Sequence, residues 1–272
     1  MNTKPRLDRL SALLEGLAPR ISVTQPAVNQ TCIEIAASAQ AALHLHLLAG
    51  GEMVLTTAQA GRVNITGPAI VVCRADLPHT LEAASSDSFS RLICLQAVMA
   101  GPIATLLLNE FTEPQVVSLA EADHSLNHIL QLISAELLAP RCGQPALLDR
   151  AGDILFIGLL RHLVAHPRHT GGLFDGLADP RIARALVAMH ATPHSDWTLE
   201  NLAEEAGMSR TAFANTFRQI MNQPPGKYLA KIRLAIARRA VESGKGLKIA
   251  ARDAGYASPS ALSRALSRIN PA

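Results

Sequence analysis

Aromatic residues are scarce in this sequence: six Phe, two Tyr and one Trp make up 3% of its 272 residues. Its cores must therefore be built from aliphatic side chains and alanine. Long apolar runs are missing too. No uninterrupted stretch of about 18 apolar residues occurs, which excludes a bilayer-spanning helix, and the amino-terminal MNTKPRLDRLSALLEGLAPR is amphipathic without the apolar core of a secretory leader. These absences predict a soluble, cytoplasmic chain with no membrane partner. Cysteine is sparse and dispersed. Cys32, Cys73, Cys94 and Cys142 form no C-x-x-C pair, which speaks against a zinc site and a disulfide-dense scaffold and leaves small buried hydrophobes as their expected role. No Ser/His/Asp grouping, phosphate-cradling glycine loop or nucleotide fingerprint stands out, so the chain is read as no enzyme.

What is present is a globular composition, 49% apolar and 17% charged, on a chain long enough for two cores. The charge is uneven. From Asp179 onward 14 Lys and Arg face 7 Asp and Glu, a net +7, whereas the residues before it carry 11 against 15, a net −4. A basic carboxy-terminal third beside a mildly acidic remainder fits a domain that meets a polyanion. All ten histidines precede residue 195.

Residues 31–99 read as short strands (TCIEIAA, LHLHLLA, EMVLTT, AIVVC and FSRLICLQAV) broken by GG, AGR, TGP and ASSDS, a spacing that predicts a small barrel or sandwich. Helical periodicity takes over near Ala122, with Leu126, Ile129, Leu130, Ile133 and Leu137 on one stripe, and a second helix over 147–164 completes a hairpin. The Gly- and Pro-rich stretch 166–180 coincides with the charge shift and is the expected linker. Domain one is then 1–165 and domain two 181–272, the latter all helical over 182–190, 199–206, 210–221, 227–243, 247–254 and 259–269.

Within that second domain one small design occurs twice. Thr198 caps a helix with Leu199, Leu202 and Ala203 inward; Gly207 stops it; Ser209 then caps a second helix whose Phe213, Phe217 and Ile220 turn inward. Later, Leu247, Ile249, Ala250 and Ala251 precede Gly255, Ser258 caps, Pro259 takes the first helical position, and Leu262, Leu266 and Ile269 turn inward. Helix, short turn, helix is the helix-turn-helix pattern, here over about 199–220 and 247–269. KYLAKIRLAIARRAVESG between them is long enough, at about 1.5 Å per residue, to hold two reading helices roughly 25 Å apart on one connector. Major-groove faces recur about every 34 Å along a duplex, so double-stranded DNA is the expected partner.

WTLENLAEEAGMSRTAFANTFRQIMNQPPGKYLAKIRLAIARRAV followed by IAARDAGYASPSALSRALSRI resembles the paired helix-turn-helix domain of AraC-type (AraC/XylS) bacterial transcription regulators. The diagnostic pieces are L-A-x-x-A-G-M-S, P-x-x-Y-L and A-x-x-x-G-Y-x-S. The resemblance implies base contacts from Thr211, Ala214, Asn215, Ser260 and Arg264, and phosphate contacts from Arg210, Arg218, Lys227 and Lys231. It also implies a homodimer, commonly an activator, with RNA polymerase as a further partner. Two departures stand out: a mild first reading helix, and a chain that stops at Asn270, Pro271 and Ala272 where relatives run on. Weaker or asymmetric binding is the expectation.

LHLHLLAGGEMVLTT and TGPAIVVCRADLPHTLEA are similar to the cupin-type sensor half of such regulators, with Pro68 in place of the family's acid and Cys73 in place of its proline. The fold class implied is α+β: an amino-terminal cupin-like barrel with a helical hairpin, then the all-α double helix-turn-helix domain. A small-molecule or redox effector would be sensed in the barrel, around His44, His46 and His79. Together with Glu52 these residues are similar to the ligands of metal-dependent cupin enzymes, the competing reading. His44 and His46 share a strand face, but Glu52 stands across a Gly-Gly turn at an unusual spacing, so no metal and no cofactor are expected. A third reading makes Cys32, Cys73 and Cys94 oxidant sensors; inert buried thiols are favoured over it. The spaced pairs His124 with His128 and His162 with His166 are read as solvated or interface residues.

Overall fold

The computed structural model describes residues 8–24, 31–83, 92–119, 124–167 and 171–268. Nine strands lie among them: β1 (Pro19–Thr24), β2 (Cys32–Ile35), β3 (Ala42–Leu48), β4 (Glu52–Thr57), β5 (Gly61–Thr66), β6 (Ala69–Arg74), β7 (His79–Ala83), β8 (Leu92–Met99) and β9 (Gln115–Ser118). They form an antiparallel five-stranded sheet, ordered β1-β8-β3-β6-β9, and an antiparallel four-stranded sheet, ordered β2-β7-β4-β5. The β half is thus a sandwich of two sheets and not, among the described residues, one continuous hydrogen-bonded barrel. Strands β1, β5, β7 and β9 fall outside the five segments read as strands from the sequence, and β8 begins at Leu92, the preceding part of FSRLICLQAV lying outside the described residues.

Alternation decides what each strand buries. Leu48, Val71, Cys73 and Leu92 from the larger sheet meet Met53, Leu55, Ile65 and Leu81 from the smaller in one aliphatic core. Two of the places where the chain changes sheets, β3 to β4 and β5 to β6, touch each other. A Cβ on Gly67 would sit 2.8 Å from the Cα of Gly50, so both crossovers depend on the missing side chain. On its outer face the larger sheet is covered by helices. In α3 (His124–Leu138) and α4 (Gln144–Ala165), Leu126, Leu130, Ile133, Leu155 and Leu159 are buried. A Cβ on Gly152 would lie 2.8 Å from Ile21 of β1, so α4 rests directly on the strands. Strand β3 is consequently buried on both faces, with Leu43, Leu45 and Leu47 on one and His46 and Leu48 on the other.

A separate helical unit comprises residues 8–18, 101–110 and the helices from 163 onward. It draws in α1 (Arg9–Leu17) and α2 (Ala104–Leu108) from the amino-terminal half, joining them to α5 (Leu173–Ala178), α6 (Pro180–Ala191), α7 (Leu199–Ala206), α8 (Arg210–Met221), α9 (Pro225–Glu242), α10 (Leu247–Asp253) and α11 (Pro259–Ser267). Part of the stretch expected as a linker is therefore structured: Leu173, Phe174 and Leu177 of α5 are buried, and the Glu110 carboxylate accepts from the Leu173 N–H at 2.6 Å. Asp179 caps α6 by accepting from the N–H groups of Arg181 and Ile182, with Pro180 at the first turn. No helix of the described residues is long and apolar enough to cross a membrane.

Candidate functional site

The sandwich interior carries an unusual polar cluster. His44 and His46 alternate onto the inner face of β3; across the ladder, Cys73 of β6 stands opposite His44 and Cys94 of β8 stands opposite His46. His79 arrives from the other sheet, at the start of β7. His46, Cys73 and His79 are each no more than 3% exposed. The three rings lie 5.1 to 6.2 Å apart between centroids, so the expected set His44, His46 and His79 is brought together.

The hydrogen bonds fix the protons. His79 Nδ1 lies 2.9 Å from the Leu77 carbonyl oxygen, which can only accept, so Nδ1 carries the hydrogen and Nε2 a lone pair. His46 Nε2, 2.9 Å from His79 Nε2, must then donate to it. That leaves His46 Nδ1 unprotonated, facing the Cys94 thiol at 3.2 Å. Burial, followed by the neighbouring imidazoles, holds His46 well below the ordinary histidine value; burial likewise lowers His79, and burial and then His79 lower His44. The cluster is therefore neutral at pH 7. Burial pushes the Cys73 and Cys94 thiols up to about 12, so both keep their protons at pH 7 unless a cation displaces them. His44 Nδ1 is buried with no hydrogen-bond partner.

Other sequence candidates stand elsewhere. Glu52 is exposed, because Met53 and Leu55 take the inward positions of β4, so the His/His/Glu/His set of metal-dependent cupins does not assemble. Cys32 and Cys142 are exposed, contrary to the reading of all four cysteines as buried hydrophobes. Cys73 was missed as a neighbour of the histidines; its cross-strand register with His44 is a long-range pairing that local sequence does not display.

In the helical unit both helix-turn-helix patterns form. Thr198 caps α7, Gly207 adopts φ 66° as its left-handed cap, and Ser209 accepts from the Ala212 N–H to cap α8. Ser258 accepts from the Ala261 N–H, with Pro259 opening α11. Beneath α8, Phe213 and Phe217 are buried with Met221, whereas Ile220 is half-buried, so the stripe continues at the eighth position and not the seventh. Phe217 packs edge-on against Tyr228 of α9. The Tyr228 hydroxyl and His190 Nε2 are 2.9 Å apart, and Arg233 donates from the same helix to the carbonyls of Pro193 and Ser195.

The second unit is packed differently. Ala250, Ala251 and Ala254 face Ala237 and Ala240 of α9, with Leu262 beneath. Leu247 and Ile249, expected inward, are 43% and 46% exposed: Ala250 and Ala251 take the buried positions of α10, Leu247 stands at its first residue and Ile249 lies off that face. The expected inward Ile269, like the terminal Asn270, Pro271 and Ala272, lies outside the described residues.

Thr211, Asn215, Arg218, Lys227, Lys231, Ser260 and Arg264 are exposed, and Ala214 is half-buried. Arg210 is exposed but pairs with Glu200 of α7 at 2.9 Å. Each reading helix thus offers a short polar face on a packed underside. These features define a class: a protein with a β-sandwich half and two helix-turn-helix units on one connector.

Comparison with known proteins gives the family. Residues 8–165 match a cupin domain family, and residues 202–270 match a helix-turn-helix domain family. The chain belongs to the AraC-type transcription regulators that carry an amino-terminal cupin domain. It is 33% identical over 173 residues to a protein named as an AraC-like transcription regulator in Streptomyces lividans, covering 62% of this chain and 57% of that one. It is 31% identical over 140 residues to the HTH-type transcriptional regulator AlkR of Acinetobacter baylyi, covering 51% and 46%. It is 30% identical over 162 residues to the RCS-specific HTH-type transcriptional activator RclR of Escherichia coli, covering 57% of each. The chain spans about half the length of the curated relatives it matches.

Proposed function

We propose that this protein is a sequence-specific DNA-binding transcription regulator, not an enzyme, controlled by an effector sensed in its β half. The carrying observation is the pair of capped helices α8 and α11, whose exposed residues are polar or basic apart from Ala212 and Pro259 and whose common connector α9 spans 18 residues, about 27 Å at 1.5 Å per residue. In this reading Thr211, Ala214, Asn215, Ser260 and Arg264 touch base edges, while Arg218, Lys227 and Lys231 meet phosphates. Arg210, already paired with Glu200, contributes less.

His44, His46 and His79 mark the sensing centre. Exposed Leu132 and Leu138 on α3 and Ile154 on α4 support assembly as a homodimer through the hairpin. In this reading the work is done in the cytoplasm with RNA polymerase as a further partner, and the activator role accords with the name of RclR, a transcriptional activator. An oxidant effector acting on the barrel cysteines is the second reading, which the raised thiols of Cys73 and Cys94 disfavour.

Capture of genomic fragments by the purified full chain, followed by retention of a captured fragment at rising salt, tests the reading. Selective fragments whose retention falls steeply with salt are expected. Retention indifferent to sequence, or unchanged in an Asn215→Ala, Arg264→Ala double variant, would remove the assigned readers.

A further inference from the structure

The donor set between the two sheets has a chemistry of its own. His46, Cys73 and His79 each offer one ligand atom, and these atoms all lie within 4.8 Å of one another. We propose that His46, Cys73 and His79 form a site for one soft monovalent metal ion, copper(I), in a three-coordinate N2S shell. This names an effector class for the β half and rests on the regulator reading only for its regulatory consequence.

The geometry is close to what such a shell needs. Metal–nitrogen and metal–sulfur bonds of roughly 2.0 and 2.3 Å place trigonal donors about 3.5 to 3.7 Å apart. The two Nε2 atoms, now at 2.9 Å, need only separate by about half an ångström to admit an ion. His79 is already oriented for ligation: its Nδ1–H is held by the Leu77 carbonyl and its Nε2 lone pair is directed inward, the arrangement that outer partners impose on metal-binding histidines. His46 becomes a ligand by moving its proton from Nε2 to Nδ1, where the Cys94 sulfur stands to accept it. The Cys73 thiol proton is the single proton released: Cu⁺ replaces H⁺ on sulfur, with no change of oxidation state.

Charge selects the ion. One thiolate and two neutral imidazoles around a monovalent ion sum to zero, whereas a divalent ion leaves an uncompensated positive charge in an aliphatic interior. Such a charge costs several kcal/mol in a buried site. The acids of the neighbouring strands do not supply compensation. Glu34 and Glu52 are exposed, Glu82 pairs with Arg62, and Asp76 pairs with Arg74. Thiolate and imidazole donors are also the soft set that copper(I) prefers over the oxygen donors of magnesium or manganese. The absence of Glu52 from the cluster separates this site from the carboxylate-containing ligand set that the sequence suggested.

The test uses the purified full chain, anaerobic and reduced, loaded with copper(I) and dialysed against bicinchoninate, with metal counted by mass spectrometry and the shell read by X-ray absorption. One copper per chain with two nitrogens and one sulfur is expected. Retention should persist in a Cys32→Ser, Cys142→Ser double variant and fall at least tenfold in Cys73→Ser. No retained copper in the wild type, a shell without sulfur, or retention unaffected by Cys73→Ser overturns the site. Displacement of copper(I) by equimolar zinc overturns the monovalent assignment. If circular dichroism shows Cys73→Ser unfolded, the wild-type shell decides alone. No DNA is present, so loss of the DNA-binding reading would leave this result standing.

Discussion

His46 and His79, 33 residues apart and on different sheets, hold their Nε2 atoms 2.9 Å apart in the sandwich interior. One donates and the other accepts, so each ring satisfies the other.

That reciprocity makes a single truncation worse than a double replacement. In metal-free protein, His79→Ala strands the buried His46 Nε2–H and should cost about 1–3 kcal/mol. His46→Leu with His79→Leu removes both polar partners and should cost no more than the single change. Urea unfolding of the full chain measures both; simple additivity of the two positions would contradict the pairing.

Protonation provides a second check, at His190. Burial lowers this histidine to about 4 from an ordinary value near 6.5, so the folded state holds it neutral beside the Tyr228 hydroxyl. As pH falls through 6.5 the unfolded chain binds a proton that the folded chain refuses. Stability should therefore decline from about pH 6.5 down to about pH 4, by at most about 3 kcal/mol for this residue. In His190→Gln that part of the slope should vanish, whatever stability the variant has at pH 7. Parallel pH profiles for wild type and variant would refute the assignment.

Two helix-ending glycines should respond unequally to alanine. Gly207 (φ 66°) has only the Arg184 guanidinium near its absent Cβ, at 3.1 Å, and Gly207→Ala should cost about 1–2 kcal/mol from the left-handed backbone alone. Gly255 (φ 75°) would bring a Cβ to 2.7 Å from the Cα of His194, so Gly255→Ala must also shift the main chain. Thermal unfolding should rank Gly255→Ala as the more damaging; the reverse order would show that backbone contact to be relaxed.

On DNA, Arg218→Ala and Lys227→Ala should each reduce the dependence of log affinity on log salt by about 1, without changing sequence preference. Arg210→Ala should do less, since its guanidinium is shared with Glu200. Asn215→Ala and Arg264→Ala should cost about 1–3 kcal/mol on the selected sequence and relax selectivity. Equal losses on selected and random DNA would demote Asn215 and Arg264 to phosphate contacts.

What could be read from the chain alone follows the range of the interactions. Thr198, Gly207, Ser209 and Ser258 announce their roles because caps are made within four residues, and α7 and α8 were foreseen with the bounds observed. His44 and His46 were placed on one face by the two-residue period of a strand. The meeting of His46 with His79, and of both with Cys73, depends on sheet order and register across tens of residues, which no local window contains. Leu247 and Ile249 misled differently: hydrophobicity suggested burial, while alanines took the buried positions of α10.

The contrast between the two helix-turn-helix undersides has a kinetic consequence. Phe213, Phe217 and Tyr228 interlock under the first unit, whereas the fully buried core of the second is alanines and Leu262, with Leu234, Ile236, Tyr256 and Leu266 only partly buried around it. Each buried alanine forfeits most of the apolar area that a larger side chain would withdraw from water. Opening fluctuations should therefore begin at α10 and α11, whose amides would exchange with solvent deuterium well before those of α7 and α8. A duplex would then meet one rigid jaw and one that still has to set.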